Sequence, residues 1–228
     1  MRPTLAFDAD DTLWHNETLY AETQEAFRAL LRPFHDNAWI DARLHDTEMR
    51  NLRRYGYGIK GFTLSMIETA LELTEDRVEG RGIRQVLELG QAMLDKPVEP
   101  LPGVAEVLAD VAGKFDLMLI TKGDLFDQET KLAKSGLGHH FSRVEIVSEK
   151  DEATYATLLG RHGLQPGAFT MVGNSVKSDI LPVLALGARA IHIPYHLTWA
   201  HEVVATPVES PFPVLDSIRD LPALLAGW

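Results

Sequence analysis

Residues 5–13, LAFDADDTL, decide how the rest of the chain is interpreted. An apolar, β-prone run ends in two carboxylates spaced i, i+2, Asp8 and Asp10, which are followed by a third acid and a threonine. Alternate side chains of an extended chain share a face, so the two carboxylates should point into the same volume, roughly 6–7 Å apart. Carboxylates that close repel each other unless one is protonated or a cation lies between them. The pair therefore favours one carboxylate as nucleophile, the other for proton transfer, and Mg²⁺ to hold the charge.

Size and composition exclude several classes of protein. The chain has 228 residues, 45% of them hydrophobic, a net charge of −11 and no cysteine. The acidic balance argues against a nucleic-acid binder, whose surface is normally basic, and the lack of cysteine excludes disulfides and thiolate chemistry. The chain enters a strand almost at once, leaving no room for a signal sequence, and no apolar run approaches the roughly 18–20 residues of a membrane span. We expect a soluble cytoplasmic protein with no membrane or nucleic-acid partner.

From about residue 100 onward, strand-like and helical segments alternate. Short apolar runs predict strands at 116–120, 144–147, 169–172 and 190–193, and helical patterns predict helices at 102–113, 125–134, 152–161 and 176–186. Strands separated by helices indicate a parallel sheet with crossover connections. Together with the strand at 4–7, the pattern predicts an α/β fold with a doubly wound, mostly parallel sheet in a three-layer α/β/α core.

Residues 16–97 do not follow this alternation. Helical periodicity without strand-like runs predicts four helices, at 17–31, 38–55, 64–73 and 84–94. We therefore divide the chain into a Rossmann-like catalytic core, residues 1–15 and 98–228, and a smaller inserted α-helical cap domain, residues 16–97. Active sites of open α/β sheets lie beyond the carboxyl ends of the strands, which is where residues 8–12 stand. The insert starts at the mouth of that site, and we expect it to form a lid.

Polar residues follow the ends of the later strands as well. Thr121 and Lys122 follow the second strand, Lys150 the third, and Asn174 and Asp179 the fourth. Phosphoryl transfer needs these groups: donors for the phosphoryl oxygens, a lysine for charge, and oxygen ligands for Mg²⁺. The alternative, a first strand that simply ends in an aspartate-rich turn, does not account for this agreement among strand ends.

Taken in order, these residues resemble the motifs of the haloacid dehalogenase superfamily. Its first motif, Asp-x-Asp-x-Thr, matches residues 8–12, and its fourth, Gly-Asp-x(3–4)-Asp, matches residues 173–179. Between them, Thr121 matches the Ser or Thr of the second motif and Lys150 the lysine of the third. The resemblance covers essentially the whole chain, including a helical cap inserted after the first strand. Four motifs in order at the expected strand ends are far more specific than any one of them.

The resemblance implies a role for each matching residue. Asp8 would attack phosphorus to form an aspartyl-phosphate, and Asp10 would protonate the leaving alcohol and then activate water. Thr121 and Lys150 would bind the transferring phosphoryl group. Asp8, the backbone carbonyl of Asp10 and Asp179 would contact Mg²⁺. The dehalogenases that name the family lack the acid at the position of Asp10, so the resemblance implies a phosphatase.

Two features leave alternatives. Asn174 stands where the family usually has an acid, so we predict weaker Mg²⁺ binding than an acidic version would show, or a metal held mainly by Asp179. Lys122, Lys131 and Lys177 are also near enough in sequence to supply the phosphate-binding cation. Lys150 is preferred for its position and the resemblance, and Lys122 is expected to contact the substrate.

The insert contains a basic, glycine-rich stretch at residues 55–61. The glycines suggest a loop between helices, and Lys60 within it is a candidate substrate-binding residue that selects the leaving group. A charged helix face with a plain connection is the alternative.

These observations together predict a Mg²⁺-dependent phosphomonoester hydrolase that acts on a small phosphorylated metabolite through an aspartyl-phosphate. A phosphomutase of the same superfamily is the alternative enzyme. A non-catalytic phospho-signalling module resembling a receiver domain is the alternative of another class, although receivers carry the accepting aspartate on a middle strand and have no helical insert after the first. Phosphosugars, phosphoglycolate-like acids and nucleoside monophosphates all fit as substrates.

Overall fold

The computed structural model of the chain describes residues 2–204 and 212–227. These residues form two compact units. The first unit comprises the described parts of Met1–Glu17, Val98–Lys122 and Gln128–Trp228, and the second comprises Thr18–Pro97 and Gly123–Asp127.

A five-stranded parallel sheet forms the centre of the first unit. Its strands are β1 (Thr4–Phe7), β2 (Asp116–Lys122), β3 (Arg143–Val147), β4 (Phe169–Gly173) and β5 (Arg189–His192), in the spatial order β3-β2-β1-β4-β5. β1 pairs in parallel with β2 on one side, where Phe7 faces Leu119, and with β4 on the other, where Phe7 faces Val172. The predicted doubly wound α/β sheet is confirmed.

Helices account for most of the remaining regular structure. In the described residues they are α1 (Glu17–Leu31), α2 (Asn37–Tyr55), α3 (Ile59–Leu73), α4 (Gly80–Asp95), α5 (Val104–Val111), α6 (Leu125–Ser135), α7 (Glu152–His162), α8 (Leu181–Ala185) and α9 (Leu221–Leu225). Within the described part of the chain, no helix is both long enough and apolar enough to cross a membrane.

β1 is buried on both faces because it is the central strand. Leu5 and Phe7 belong to a cluster of buried side chains that includes residues of α5 and α9. Ala6 points the other way, into a second cluster that includes residues of α7 and α8. Helices therefore cover both faces of the sheet, which explains why the strands are runs of apolar residues rather than alternating patterns.

The first four helices give the second unit a hydrophobic core of its own, built around side chains such as Phe27, Ile40 and Met66. α3 begins at Ile59, five residues before the predicted start, because Gly56 and Gly58 confine the turn after α2 to three residues. Both glycines have positive φ, 71° and 108°, which other residues adopt with strain. Lys60 therefore lies in the first turn of α3, and the prediction that it lies in a loop is wrong.

The helix predicted at residues 176–186 is divided. A π-helical turn, Val176–Ile180, precedes α8. Pro182 has no N–H to donate to the preceding turn, and the carbonyl of Ser178 instead accepts a hydrogen bond from the Tyr155 hydroxyl at 3.1 Å. π-Helical turns of this kind are frequent at functional sites, and this one contains Asp179.

Candidate active site

The carboxyl ends of β1, β3 and β4 bring three predicted residues into direct contact. The Nζ atom of Lys150 lies 2.5 Å from Oδ1 of Asp8 and 2.7 Å from Oδ1 of Asp179. All three side chains are buried, with Asp179 only 1% exposed. An ammonium group between two carboxylates at adjacent strand ends forms a charged cluster in a site largely closed to water.

Gly173 explains how Asp179 reaches this cluster. A Cβ atom on Gly173 would lie 2.3 Å from the carboxylate carbon of Asp179, a distance that real Cβ atoms do not tolerate. The backbone N–H of Ser175 also donates to Asp179 Oδ2 at 3.0 Å, which fixes the second carboxylate oxygen. The glycine that ends β4 is therefore needed for packing against the acid that follows it.

Burial and the neighbouring charges shift the pKa values of Asp8 and Lys150 in opposite directions. Burial raises the pKa of Asp8 to about 7, although Lys150 lowers it. Burial would lower the pKa of Lys150, but the carboxylates of Asp179 and Asp8 outweigh it and hold that pKa above its usual range. Lys150 is therefore charged at neutral pH, and further positive charge beside Asp8 would favour the ionised carboxylate that a nucleophile requires.

The other oxygen of Asp8 contacts Thr12 and Asn174. The Thr12 hydroxyl donates to Asp8 Oδ2 at 3.1 Å. When the side-chain amide of Asn174 is oriented with its nitrogen toward these groups, it donates to Asp8 Oδ2 at 3.2 Å and to the backbone oxygen of Asp10 at 3.3 Å. An aspartate at position 174 would have no N–H to donate to these two oxygens.

The oxygens around Asp8 fit a magnesium ion. Within residues 2–204 and 212–227, no group of three or more His, Cys, Asp or Glu side chains is arranged to hold a metal. The donors are instead the carboxylates of Asp8 and Asp179, the backbone carbonyl of Asp10 and, when the Asn174 amide is rotated to present its oxygen in place of its nitrogen, Asn174 Oδ1. These are hard oxygen ligands of the kind that Mg²⁺ prefers, with fewer negative charges than an all-carboxylate site.

Thr121 lies near the end of β2, two positions beyond the Leu119 that faces Phe7 of β1. Its side chain is 2% exposed, and its hydroxyl has no hydrogen-bond partner among the described residues. A buried, unpaired hydroxyl costs about 1–3 kcal/mol, so such groups are uncommon without a ligand or function to account for them. A phosphoryl oxygen would supply the missing partner.

Asp10 has a set of partners different from those of Asp8. Oδ1 accepts a hydrogen bond from Trp14 Nε1 at 2.7 Å, and Oδ2 accepts one from Gln128 Nε2 at 2.9 Å. The ammonium of Lys131 lies 3.1 Å from both oxygens. The predicted repulsion between the two aspartates is thus relieved by a separate lysine for each.

The backbone geometry also differs from the extended segment that the sequence predicts. β1 ends at Phe7, and the amides of Thr12 and Leu13 both donate to the carbonyl of Ala9, which turns the chain. Asp11 has a φ of 62°, in the left-handed region. Its carboxylate accepts hydrogen bonds from the amides of Asn16 and Glu17 at 2.9 and 3.0 Å, which holds the turn closed.

These partners of Asp10 do not follow from the motifs in the sequence. The sequence suggests Lys131 only as an alternative phosphate-binding cation and indicates no role for Gln128. The signal that could have found them is their i, i+3 spacing on α6, which puts both side chains on one face of the helix that follows Thr121.

Lys122 contacts a carboxylate of the chain itself. Its Nζ atom lies 2.5 Å from Glu202 Oε1. The other oxygen of the Glu202 carboxylate accepts hydrogen bonds from the hydroxyls of Ser175 and Ser178, each at 2.6 Å. Burial would raise the pKa of Glu202, but Lys122 and these hydroxyls lower it to about 2. Any substrate contact made by Lys122 must therefore compete with an ionised Glu202.

Lys60, the remaining predicted substrate residue, belongs to the second unit. Its ammonium lies 2.8 Å from Asp124 Oδ1 and 5.5 Å from the centroid of the Phe126 ring. Asp124 and Phe126 immediately follow β2 in sequence and belong to the same unit as Lys60. Lys60 is therefore held beside the segment that follows Thr121 and Lys122, and its role in substrate binding stays a prediction.

The chain is similar to several known hydrolases. A family model described as haloacid dehalogenase-like hydrolase matches residues 3–187. N-acylneuraminate-9-phosphatase of Rattus norvegicus is 28% identical over 130 residues, which are 54% of this chain and 50% of that protein. The enzyme of the same name from Mus musculus is 29% identical over the same shares of the two chains. The chain thus spans about half the length of these curated relatives.

Solved structures also resemble the chain over nearly its whole length. A haloacid dehalogenase-like family hydrolase from Xanthomonas campestris is 42% identical with a TM-score of 0.89, covering 99% of this chain and 91% of that one. L-2-haloacid dehalogenase from Xanthobacter autotrophicus has a TM-score of 0.69 at 18% identity, covering 100% and 99% of the two chains. The second likeness concerns the fold alone.

Proposed function

The chain belongs to the haloacid dehalogenase-like hydrolase family, and from that premise we propose that it is a Mg²⁺-dependent phosphomonoester hydrolase. It acts on a small phosphorylated metabolite through an aspartyl-phosphate. The observation that carries this proposal is the Asp8–Lys150–Asp179 cluster with an unpaired, buried Thr121 hydroxyl nearby in the sheet. The cluster supplies a nucleophile and a cation, and the hydroxyl supplies a donor for a phosphoryl oxygen.

In the first step, a carboxylate oxygen of Asp8 attacks phosphorus, and the bond between phosphorus and the ester oxygen breaks. Lys150, charged and 4% exposed, offsets negative charge on the phosphoryl oxygens where little water competes. Asp10 gives its proton to the departing alkoxide. The products are the free alcohol and Asp8 phosphate.

In the second step, water attacks phosphorus and transfers a proton to Asp10. The bond between phosphorus and the Asp8 oxygen breaks, so inorganic phosphate leaves and both aspartates regain their starting states. Mg²⁺ held by Asp8, the Asp10 carbonyl, Asn174 and Asp179 would supply positive charge to the phosphoryl group. The division of labour between the two aspartates agrees with their separate hydrogen-bond partners.

Asp10 favours phosphate esters over carbon–halogen bonds. A halide leaves without a proton, whereas an alkoxide needs one, and general acid catalysis typically contributes about 10²–10⁴-fold to such a step. The curated relatives are named phosphatases, which supports the same choice. Their shared name makes a phosphorylated sugar acid a reasonable first compound for a screen.

The helical unit is part of the proposal as a cap domain. We assign residues 16–97 to it, with a catalytic core of residues 1–15 and 98–228, and place the protein in the cytoplasm. The core that Phe27, Ile40 and Met66 form within α1–α4 supports an independently packed domain. Its position in the sequence, directly after the first strand, supports a role in selecting the leaving group.

The test is a screen of phosphorylated metabolites and p-nitrophenyl phosphate, with Mg²⁺ and with a chelator. We expect many turnovers of inorganic phosphate per protein molecule in Mg²⁺, none with the chelator, and none for Asp8→Asn. An isomerised sugar phosphate in place of free phosphate would indicate a phosphomutase. Stable phosphorylation of Asp8 without turnover would indicate a signalling module, and halide release from a 2-haloacid without phosphatase activity would refute the proposal.

A further inference from the structure

We propose that Lys131 is a positioning residue for the reaction, which holds the Asp10 carboxylate in place by linking it to Asn16. The inference rests on the proposed function, because it concerns the proton that Asp10 gives to the leaving group. Lys131 acts through Asp10 and needs no contact with the substrate.

The ammonium group of Lys131 joins the Asp10 carboxylate to Asn16. It lies 3.1 Å from each carboxylate oxygen of Asp10 and 2.8 Å from Oδ1 of Asn16. One N–H can be shared between the two oxygens of the Asp10 carboxylate while a second donates to Asn16. Lys131 is 9% exposed, so water cannot readily replace a lost partner. The lysine is therefore a bridge of defined geometry rather than a solvated surface charge.

The same contacts reach both carboxylate oxygens of Asp10. Oδ1 receives Trp14 and Lys131, and Oδ2 receives Gln128 and Lys131. Without the lysine each oxygen would keep one donor, and the charged partner that ties the two oxygens together would be lost. Since a misplacement of about 1 Å can cost about 10²-fold in rate, loss of this anchor should be measurable in the step that uses the Asp10 proton.

The bridge connects Asp10 to two elements of the first unit that lie far apart in sequence. On one side, α6 supplies both Lys131 and Gln128, and Gln128 Nε2 also donates to the Lys122 carbonyl at the end of β2 at 2.8 Å. On the other side, the amide of Asn16 is held by the Asp11 carboxylate. The Asp10 carboxylate is thus tied both to the end of β2 and to the rest of the turn after β1.

A series of leaving groups separates positioning of Asp10 from a general structural role. p-Nitrophenolate is weakly basic and leaves without a proton, whereas phenolate and especially benzyl alkoxide need one. We compare kcat/KM for p-nitrophenyl, phenyl and benzyl phosphate, because this constant reports the steps up to formation of the aspartyl-phosphate. Hydrolysis of the intermediate, in which Asp10 also takes part, then does not obscure the result.

We expect Asp10→Asn to lower kcat/KM for phenyl and benzyl phosphate by about 10²-fold or more. The same variant should lower kcat/KM for p-nitrophenyl phosphate much less. Lys131→Met, which keeps the length of the stem, should reproduce this pattern with a loss of roughly 10- to 100-fold on the two poorer leaving groups. Lys131→Arg should restore part of the loss. Lys134→Met, which removes an exposed lysine from the same helix, should match the wild type on all three esters.

An equal loss on all three esters, or no loss, in Lys131→Met would overturn the inference while leaving the proposed function intact. If Lys131→Met does not fold, Asn16→Ala takes its place, since it removes one end of the bridge, and the same selective loss is expected at smaller size. Absence of the selective loss in that variant overturns the inference too. A wild-type protein that hydrolyses none of the esters in Mg²⁺ would refute the proposed function and this inference together.

Discussion

Replacing Lys150 by methionine tests the electrostatics of the cluster most directly. The substitution keeps much of the side-chain volume and removes the ammonium that lies 2.5 Å from Asp8 and 2.7 Å from Asp179. Because these two carboxylates are 7% and 1% exposed, neither can be solvated well once the lysine is gone. Removing one partner of a buried ion pair typically costs about 3–5 kcal/mol.

The loss in the free energy of unfolding should depend on pH in a defined direction. Burial already raises the pKa of Asp8 to about 7 with Lys150 present, and without the lysine that pKa must rise further. A carboxyl whose folded pKa exceeds its unfolded value, about 4, contributes stability below pH 4 that is lost as the pH rises through the folded pKa. The full penalty of about 3–5 kcal/mol is therefore expected at pH 8. At pH 5 a protonated Asp8 can donate to Asp179, and the loss should fall to about 1–2 kcal/mol.

Thermal unfolding followed by circular dichroism, in buffer containing a chelator, measures this difference. Since 1 kcal/mol shifts the Tm of a chain of this size by about 2–4 °C, we expect Lys150→Met to melt roughly 6–20 °C below the wild type at pH 8. The matched control is Lys134→Met, which should lie within about 0.5 kcal/mol of the wild type. Adding Asp179→Asn to Lys150→Met should recover part of the loss, because it removes one of the two unpaired carboxylates.

Two results would refute this account of the cluster. A Tm of Lys150→Met equal to that of the wild type at pH 8 would mean that the carboxylates need no buried cation. A larger loss at pH 5 than at pH 8 would mean that the pKa of Asp8 shifts in the opposite direction.

Three further substitutions probe the metal, phosphate and leaving-group contacts. Asn174→Asp should raise Mg²⁺ affinity in isothermal titration calorimetry. It should also lower the Tm measured in chelator, because the new carboxylate faces Asp8 Oδ2 and the Asp10 carbonyl and has no N–H to donate to them. Unchanged or weaker Mg²⁺ binding would contradict this prediction. Thr121→Val should leave Tm unchanged or raise it, because the hydroxyl has no hydrogen-bond partner to lose. Inhibition by inorganic phosphate should weaken in this variant. A lower Tm with unaltered phosphate inhibition would contradict the role of Thr121. Lys60→Ala should change KM or the order of substrates in the metabolite screen, and no change in either would remove Lys60 from the substrate site.

The parts of the fold that sequence predicts well are those set by local pattern. Thr4–Phe7 and Glu17–Leu31 have the predicted bounds, because an uninterrupted apolar run and a regular amphipathic repeat each allow one structure. α3 starts earlier than predicted because Gly56 and Gly58 suggest that a loop continues beyond them. The buried Ile59 already belongs to the apolar face of the helix that follows. At the other end of the chain, Pro182 divides a helix that hydrophobic periodicity alone makes continuous.

Some contacts of the candidate site can likewise be predicted from the sequence, and others cannot. Lys150 and Asp179 could be placed beside Asp8 from sequence, because the strands of a parallel sheet end at one edge and deliver their next residues there. The partners of Asp10 could not, because they depend on which face of α6 packs against the turn after β1. Glu202 could not be predicted either, since it contacts Lys122 from a segment 80 residues further along the chain.

The π-helical turn at Val176–Ile180 can also be understood as an insertion of one residue into an ordinary helix. Deleting Ile180, the residue after Asp179, would restore the α-helical register and leave Val183 of α8 in its buried position. Because each residue of an α-helix turns the chain by about 100°, the residues before the deletion would rotate by that amount relative to α8. The carboxylate of Asp179 would then no longer meet Lys150. Deletion of this one codon is thus expected to remove one wall of the site and also to cost core packing, because Ile180 is 0% exposed and packs with buried residues of α7 and α8. The extra residue therefore serves the site and the core together.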